Sequence, residues 1–193
     1  GLVDINGNVT INTKFDYVYT FSEGLAVASI GKAGFINIDG LFVIKPLFEA
    51  AKNFSEGLAP VKINGKWGYI DKSGNWIIEP KYQKATRFFD SYALVQGGHN
   101  TDEKNLYGLI DRNGNFVIYP KFIRAQRLHD VNDGIRVSVG RSGFGIISND
   151  GKYTISPEYD FIHYGFSEND MIGAKQAGKF GYVDRFGKSP CFI

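Results

Sequence analysis

A pair of glycines spaced six residues apart recurs along this 193-residue chain. The pairs are Gly1 and Gly7, Gly34 and Gly40, Gly68 and Gly74, Gly108 and Gly114, Gly145 and Gly151, and Gly181 and Gly187. Successive pairs start 33 to 40 residues apart. Self-similarity at such a period indicates a repeat architecture, in which each unit is one supersecondary element. We therefore predict a single domain over residues 1–193, with units opening at about residues 1, 34, 68, 108 and 145 and a partial unit from 181.

The best-preserved copy predicts two strands joined by a tight turn. The strands are Trp67–Asp71 and Asn75–Glu79. Asp71 can bond the backbone of its own turn, and glycine readily takes the left-handed conformation that the turn requires. We expect the two glycines of each unit to turn the chain. We expect Pro80, which lacks an N–H donor, to end the second strand.

A third strand completes each unit. Leu58–Ile63 precedes Trp67, and Asn64-Gly65 between them favours a hairpin turn whose twist matches its flanking strands. Three strands joined by hairpins form an antiparallel meander. The connector after Pro80 is compatible with either a helical turn or a fourth edge strand.

Alternating apolar columns predict how the units assemble. Trp76 and Ile78 share one face of a strand, and both columns remain apolar in the other copies. No unit could bury this face alone, so neighbours must stack. The predicted fold class is all-β: tandem repeats of short antiparallel three-stranded meanders in an open, twisted, solenoid-like array. The alternative is a closed β-propeller-like ring.

Composition excludes several classes of protein. The formal net charge is +2 with both signs interspersed, so no concentrated basic stripe indicates nucleic-acid binding. No apolar run approaches the roughly 20 residues of a transmembrane helix. The single cysteine, Cys191, excludes an internal disulfide framework. The three histidines, His99, His129 and His163, occupy different repeat positions, so we expect no metal column and no cofactor.

Two insertions are the least repetitive stretches. Residues 97–105 lengthen one unit, and residues 128–134 replace the shorter Phe54–Gly57 segment of another. Insertions in repeat proteins map to loops and often to a binding face, although a tolerated surface loop is the alternative. Together with Trp76, a sugar-stacking candidate that is more simply explained by core packing, they provide the candidate binding residues: His99, Asn100, Asp102, Glu103, His129, Asp130, Asp133 and Trp76.

Residues 54–82 resemble the bacterial WG-repeat (WG β-repeat) proteins. The matching segments are Phe54-Ser55-Glu56-Gly57-Leu58-Ala59, Asn64-Gly65-Lys66-Trp67-Gly68-Tyr69-Ile70-Asp71 and Ile78-Glu79-Pro80-Lys81-Tyr82. The motif's structural positions are Trp67, Gly68, Asp71, Gly74 and Pro80, and the Trp position is Ala33, Tyr107, Phe144 or Phe180 in other units. The resemblance implies a non-catalytic scaffold, and it favours a secreted or envelope-associated location.

The expected function is binding without catalysis. The first hypothesis is protein–protein interaction through connector loops and insertions presented along one edge. The alternative is a carbohydrate- or cell-envelope-binding module that stacks sugars on Trp76, Tyr92 or Tyr107. The third is a cryptic enzyme, which would need His129 and Asp130 or Asp133 to converge. The expected partner is therefore a protein or a glycan.

Overall fold

The computed structural model describes residues 2–3, 9–11, 15–97, 105–128, 134–188 and 191–192. Within these ranges the chain forms β-strands and no helix. The strands form five four-stranded antiparallel sheets, here sheets I to V, and one two-stranded hairpin. None of the sheets closes into a barrel, and the sheets follow one another as a solenoid-like array of repeats.

Strand order follows chain order in every sheet. The hairpin contains β1 (Leu2–Val3) and β2 (Val9–Ile11). Sheet I contains β3 (Tyr17–Val18), β4 (Ala26–Ile30), β5 (Lys32–Ile36) and β6 (Phe42–Phe48). Sheet II contains β7 (Ala50–Ala51), β8 (Ala59–Ile63), β9 (Lys66–Ile70) and β10 (Trp76–Tyr82). Sheet III contains β11 (Lys84–Ala85), β12 (Tyr92–Gln96), β13 (Tyr107–Asp111) and β14 (Phe116–Phe122). Sheet IV contains β15 (Arg124–Arg127), β16 (Ile135–Ser138), β17 (Phe144–Ile147) and β18 (Tyr153–Tyr159). Sheet V contains β19 (Phe161–Ile162), β20 (Met171–Gln176), β21 (Lys179–Asp184) and β22 (Cys191–Phe192).

The connector of each unit forms a fourth, edge strand. In sheet II this strand is β7, where Ala50 pairs with Lys62 and Ala51 with Val61. The meander therefore has one strand more than the three predicted, and of the two alternatives for the connector the edge strand is observed. A unit counted from one glycine pair to the next takes its first two strands from one sheet and its next two from the following sheet.

The first glycine of each pair has a different role from the predicted one. Gly68 lies inside β9 and not in a turn. A Cβ on Gly68 would lie 2.5 Å from the carbonyl oxygen of Ile78 and 2.8 Å from the nitrogen of Pro80. Glycine is needed here because the backbone of β10 crosses directly over it. The second glycine does turn the chain, since Gly74 has a φ of 85°.

Pro80 also differs from its prediction, because it lies within a strand instead of ending one. β10 continues to Tyr82, which pairs with Trp67, while Ile78 pairs with Tyr69. The residues between Ile78 and Tyr82 form a bulge, where a ladder hydrogen bond is not required and proline is tolerated. The same bulge brings the β10 backbone against Gly68.

Aromatic side chains connect each sheet to the next. Edge-to-face pairs between neighbouring sheets include Phe48 with Trp76 at 6.1 Å, Tyr82 with Phe116 at 6.3 Å, Phe122 with Tyr153 at 6.5 Å and Phe144 with Phe161 at 6.3 Å between ring centroids. A second row packs Phe35 on Phe54 at 4.7 Å and Tyr69 on Phe88 at 4.8 Å. Aromatic pairs of this geometry add to the energy of simple area burial. The core thus lies at the sheet-to-sheet interfaces, with one main hydrophobic cluster at each.

The Ser-Glu turns form a polar ladder along one end of the sheets. The hydroxyls of Ser22 and Ser55 donate to the carbonyls of Phe54 and Phe88, at 2.8 and 2.7 Å. The carboxylates of Glu23 and Glu56 accept from the backbone N–H groups of Gly57 and Ser91, at 3.1 and 3.0 Å. Each turn therefore bonds the equivalent turn of the following sheet.

A second acidic position stabilises the hairpin turns at the opposite end. Asp16, Glu49 and Asp160 accept from the N–H groups of Gly31, Gly65 and Gly178, at 2.6, 3.1 and 3.1 Å. The equivalent residues are Gln83 in sheet III and Ile123 in sheet IV. Those are the two sheets in which a longer segment joins strands two and three, whereas one or two residues turn the chain there in sheets I, II and V.

The outer face of sheet V is uncovered. Tyr182 is 59% exposed, whereas its equivalent in sheet II, Tyr69, is fully buried beneath Phe88 of the following sheet. A closed ring would place the first sheet over this face. The exposure of Tyr182 therefore favours the open array.

We predict that Gly68→Ala is strongly destabilising, by about 3 kcal/mol, because the new methyl group would overlap a backbone that cannot move without breaking the bulge. Gly173→Ala is the matched control: this strand glycine would place its Cβ 3.8 Å from His163, an ordinary contact. Urea unfolding midpoints of the two variants would measure the difference. Equal midpoints would contradict the role assigned to the β9–β10 contact.

We also predict an acid-sensitive contribution from Glu23. Burial raises its pKa, but hydrogen bonds from Lys72 and from the Gly57 N–H outweigh burial, so the pKa lies below its ordinary value. The stability that Glu23 provides is thus complete above the pKa of the unfolded chain and is lost as the pH falls through the lower folded value.

Glu23→Gln should consequently show a smaller loss of stability between about pH 5 and pH 3 than the wild type. Thermal unfolding across this range measures it. Glu79→Gln, at an exposed position of β10, serves as the control. If Glu23→Gln lost as much stability as the wild type over this pH range, the Glu23 contacts would not contribute to stability.

Candidate binding site at the junction of sheets III and IV

Most of the predicted binding residues lie outside the described residues. These are His99, Asn100, Asp102 and Glu103 of the first insertion and His129, Asp130 and Asp133 of the second. Whether they bind a partner, or converge as an acid–base pair, stays a prediction.

The predicted motif residues are described, and their contacts are structural. Trp76 is half-buried against Phe48, and Trp67 is half-buried with the ammonium group of Lys52 5.2 Å from its ring. Asp71 accepts from the backbone N–H groups of Ser73 and Asn75 at 2.9 and 2.8 Å. The hydrogen bonds from Asn75, the largest cause, lower the pKa of Asp71. Over the described ranges, no group of three His, Cys, Asp or Glu side chains could hold a metal ion.

The two insertions leave from opposite ends of the sheets. Residues 97–105 connect strands two and three of sheet III, and residues 128–134 connect strands one and two of sheet IV. Consecutive connections in an antiparallel meander alternate between its ends. The expectation that both insertions are presented along one edge is therefore wrong.

A polar row borders the first insertion. Lys84, Gln96 and Tyr107 lie side by side on β11, β12 and β13, because Gln96 pairs with both neighbours. The ammonium group of Lys84 donates to the Tyr107 hydroxyl at 3.2 Å, and the Gln96 amide donates to the carbonyl of Asn105 at 2.9 Å. This row places one amide and one cation where the insertion leaves the sheet.

The row forms one wall of a cavity of about 400 Å³, here the junction cavity. The other walls come from sheet IV and from Tyr164 of sheet V. The lining residues are Lys84, Gln96, Tyr107, Ile123, Arg124, Ala125, Gln126, Arg136, Val137, Phe144 and Tyr164. Three of them are cations and none is an acid. The cavity can therefore attract negative charge.

Arg136 is the most unusual of these residues. It is only 7% exposed, and its guanidinium donates to the carbonyl of Ile162 at 2.6 Å. Its guanidinium carbon lies 4.1 Å from the ring centroid of Tyr164 and 4.9 Å from that of Phe144. The described part of the chain provides no carboxylate within ion-pair distance. Buried charges are rare without such a partner.

Arg136 also interrupts the repeat pattern. The strand pairings place it in the column occupied by Val27, Pro60, Leu94 and Gly173 in the other four sheets. Similarly, Lys84 and Arg124 begin the first strands of sheets III and IV, where sheets I, II and V begin with Tyr17, Ala50 and Phe161. The sequence analysis missed these three residues. A search of aligned columns for charges in apolar positions would have found them.

A second cavity, of about 430 Å³, lies on the uncovered face of sheet V. It is lined by Phe161, His163, Gly173, Ala174, Phe180, Gly181 and Tyr182. This cavity is apolar, in contrast to the junction cavity. It occupies the position that a following sheet covers in the other repeats.

The comparison with protein families identifies these repeats. The profile described as "WG containing repeat" matches residues 1–32, 34–67, 67–96, 107–128 and 144–180. The chain belongs to this family. The WG motif itself thus comprises the β9 strand with its bulge contact, while Lys84, Arg124 and Arg136 of the junction cavity are departures from the repeat.

Other comparisons add little. No curated protein matches the chain. One similar solved structure, described as "Crystal structure of the eukaryotic initiation factor", has 12% identity and a TM-score of 0.49. The match covers 93% of this chain and 51% of the other. The described WG repeats contain no helix that is both long and apolar enough to cross a membrane.

We predict that Arg136→Leu leaves stability within about 1 kcal/mol of the wild type, because the column is apolar in neighbouring repeats and a buried charge without a counterion contributes little. Leu94→Ala, in the same column of sheet III, is the comparison and should lose about 2–5 kcal/mol. Denaturant unfolding of both variants tests this. A loss in Arg136→Leu as large as that in Leu94→Ala would make Arg136 a structural residue.

Proposed function

We propose that this chain is a non-catalytic scaffold that binds another protein, and that the recognition surface lies at the junction of sheets III and IV. The observation that carries the proposal is the junction cavity, with three cations and no acid among its lining residues, beside the point where the longest insertion leaves the chain. Membership of a repeat family is consistent with a binding module and does not by itself specify a partner.

The polar residues elsewhere in the repeat frame support this location, because their roles differ from those of the polar residues in the cavity. Its recurring polar residues bond within the frame: Ser55 and Glu56 bond the next sheet, and Asp71 bonds its own turn. The polar residues of the junction cavity do not repeat in this way. Side chains that depart from the repeat and face a cavity are available for a ligand.

The residue types at the junction suit a protein interface. Arginine and tyrosine are enriched among the residues that dominate binding energy, and here Arg136, Tyr107 and Tyr164 line one cavity. The adjacent insertion would extend the contact beyond the cavity, as loops on rigid scaffolds commonly do. A non-catalytic role fits the described acids, because Glu23, Glu49 and Asp71 serve the turns.

Glycan binding is the second candidate, on a different observation. Phe180 and Tyr182 are 65% and 59% exposed beside the apolar cavity of sheet V. Exposed aromatic rings are the groups on which sugars stack. The aromatic residues first considered for this role are less suitable, since Trp76, Tyr92 and Tyr107 are half-buried.

The proposal predicts that the insertion is needed for partner capture. Replacing residues 98–105 with Asn-Gly, the turn of sheet II, should preserve the hairpin because Gln96 and Tyr107 would keep their pairing. Immobilised wild type and variant would be compared for proteins recovered from native lysate. We expect at least a fivefold loss of specific partners in the variant.

The control is Lys188→Gln, an exposed position in the turn that follows β21. Unfolding temperature would confirm that the loop variant is folded. Identical recovery by wild type and loop variant would contradict the proposal. Recovery of peptidoglycan or glycans through Tyr182, with no protein partner, would replace it with the second candidate.

A further inference from the structure

The junction cavity contains a cation, Arg136, that has no carboxylate partner among the described residues. Arg136 makes one described hydrogen bond, to the Ile162 carbonyl, whereas a guanidinium has five N–H donors. Its other nitrogens are not among the fully buried polar atoms that lack a partner, which is consistent with access to the cavity. A ligand that reached them would complete the hydrogen bonding of the guanidinium.

Aromatic rings fix the position of this guanidinium. Tyr164, Phe144 and Phe161 lie 4.1, 4.9 and 5.5 Å from its carbon atom, measured to the ring centroids. Rings at this distance attract the cation through their faces, and they also limit its rotation. They exclude water from one side, which strengthens its interaction with an incoming negative charge.

Two further cations extend the same charge. Lys84 and Arg124 line the cavity from sheets III and IV, and both are exposed. They occupy equivalent first-strand positions that are not charged in the other three sheets. Three donors from two neighbouring sheets therefore face one volume of about 400 Å³, a size typical of small-ligand sites.

We propose that the junction cavity binds an oxyanion, a carboxylate or phosphate group, with Arg136 as the central contact and Lys84 and Arg124 as supporting cations. Guanidinium groups bind both anions through paired N–H···O hydrogen bonds. This inference rests on the proposed function, because the anion is the group that a partner would insert. Arg136 is then a specificity residue at the centre of that interface.

The test uses the whole chain and small defined probes. Inorganic phosphate, an acetylated triglutamate amide and the matching triglutamine amide would each be titrated and followed by amide NMR shifts. We expect saturable shifts at cavity residues such as Gln126 and Val137 with phosphate or triglutamate, with dissociation constants in the millimolar range. Triglutamine should give none. The stronger of the two anionic probes identifies the source of the oxyanion.

Variants that remove the same charge at different positions distinguish anion binding in the cavity from a general attraction of anions to the positive charges of the protein. Arg136→Met should weaken binding at least tenfold, and Arg136→Lys should restore part of it. Arg141→Met removes the same charge from an exposed position that does not line the cavity and should change binding less than twofold. Lys84→Met and Arg124→Met, at exposed positions, give the same test if Arg136→Met is poorly folded.

Two results of the binding titrations would overturn the inference. One is equal weakening by Arg136→Met and Arg141→Met, which would indicate general charge attraction. The other is a binding response that does not saturate, or one that is larger with single-stranded DNA and is reduced equally by Arg136→Met and Arg141→Met. Protein capture that is lost in the loop variant but unchanged in Arg136→Met would refute this inference and leave the proposed function standing. Anion binding without any captured protein would support this inference and contradict the proposed function.

Discussion

Apolar side chains that one sheet presents to the next hold this molecule together. Phe54 of sheet II lies on Phe35 of sheet I, and Phe88 of sheet III lies on Tyr69 of sheet II, all four fully or almost fully buried. A single four-stranded meander has no second layer of its own, so its faces become buried only when a neighbour stacks on it. Sheet V shows the consequence, because its Tyr182 has no such neighbour and remains exposed.

The sheets can stack in this way only if they have the same shape. Contacts of the backbone keep that shape the same from one sheet to the next. Gly68 admits the bulge around Pro80, and the bulge directs Tyr82 toward the aromatic ring of Phe116 in the next sheet. The Ser-Glu turns then fix the spacing of successive sheets through hydrogen bonds between equivalent turns. Both devices recur, so the motif residues of a WG repeat maintain the frame of the stacked sheets.

The site proposed at the junction cavity leaves the repeat frame unchanged. Sheets III and IV keep their strand pairing, yet they replace apolar residues at three positions with Lys84, Arg124 and Arg136. The longer segment between β12 and β13 accompanies the change of Glu49 to Gln83, since the turn that the acid stabilises is no longer there. These three charged departures from the repeat thus lie around one cavity, the surface proposed for partner recognition.

The sequence by itself determined the repeat, the all-β class, the Asp71–Gly74 and Asn64-Gly65 turns and the apolar columns, because each depends on residues close together in the chain and on a period of two along a strand. The tertiary structure decided what depends on distant backbone: the fourth strand, the role of Gly68, and the position of Pro80 inside β10.

The candidate site was predictable only at the first insertion. Its cations come from different strands of two sheets, so no local motif marks them, and only the stacking of those sheets brings Lys84, Arg124 and Arg136 around one cavity.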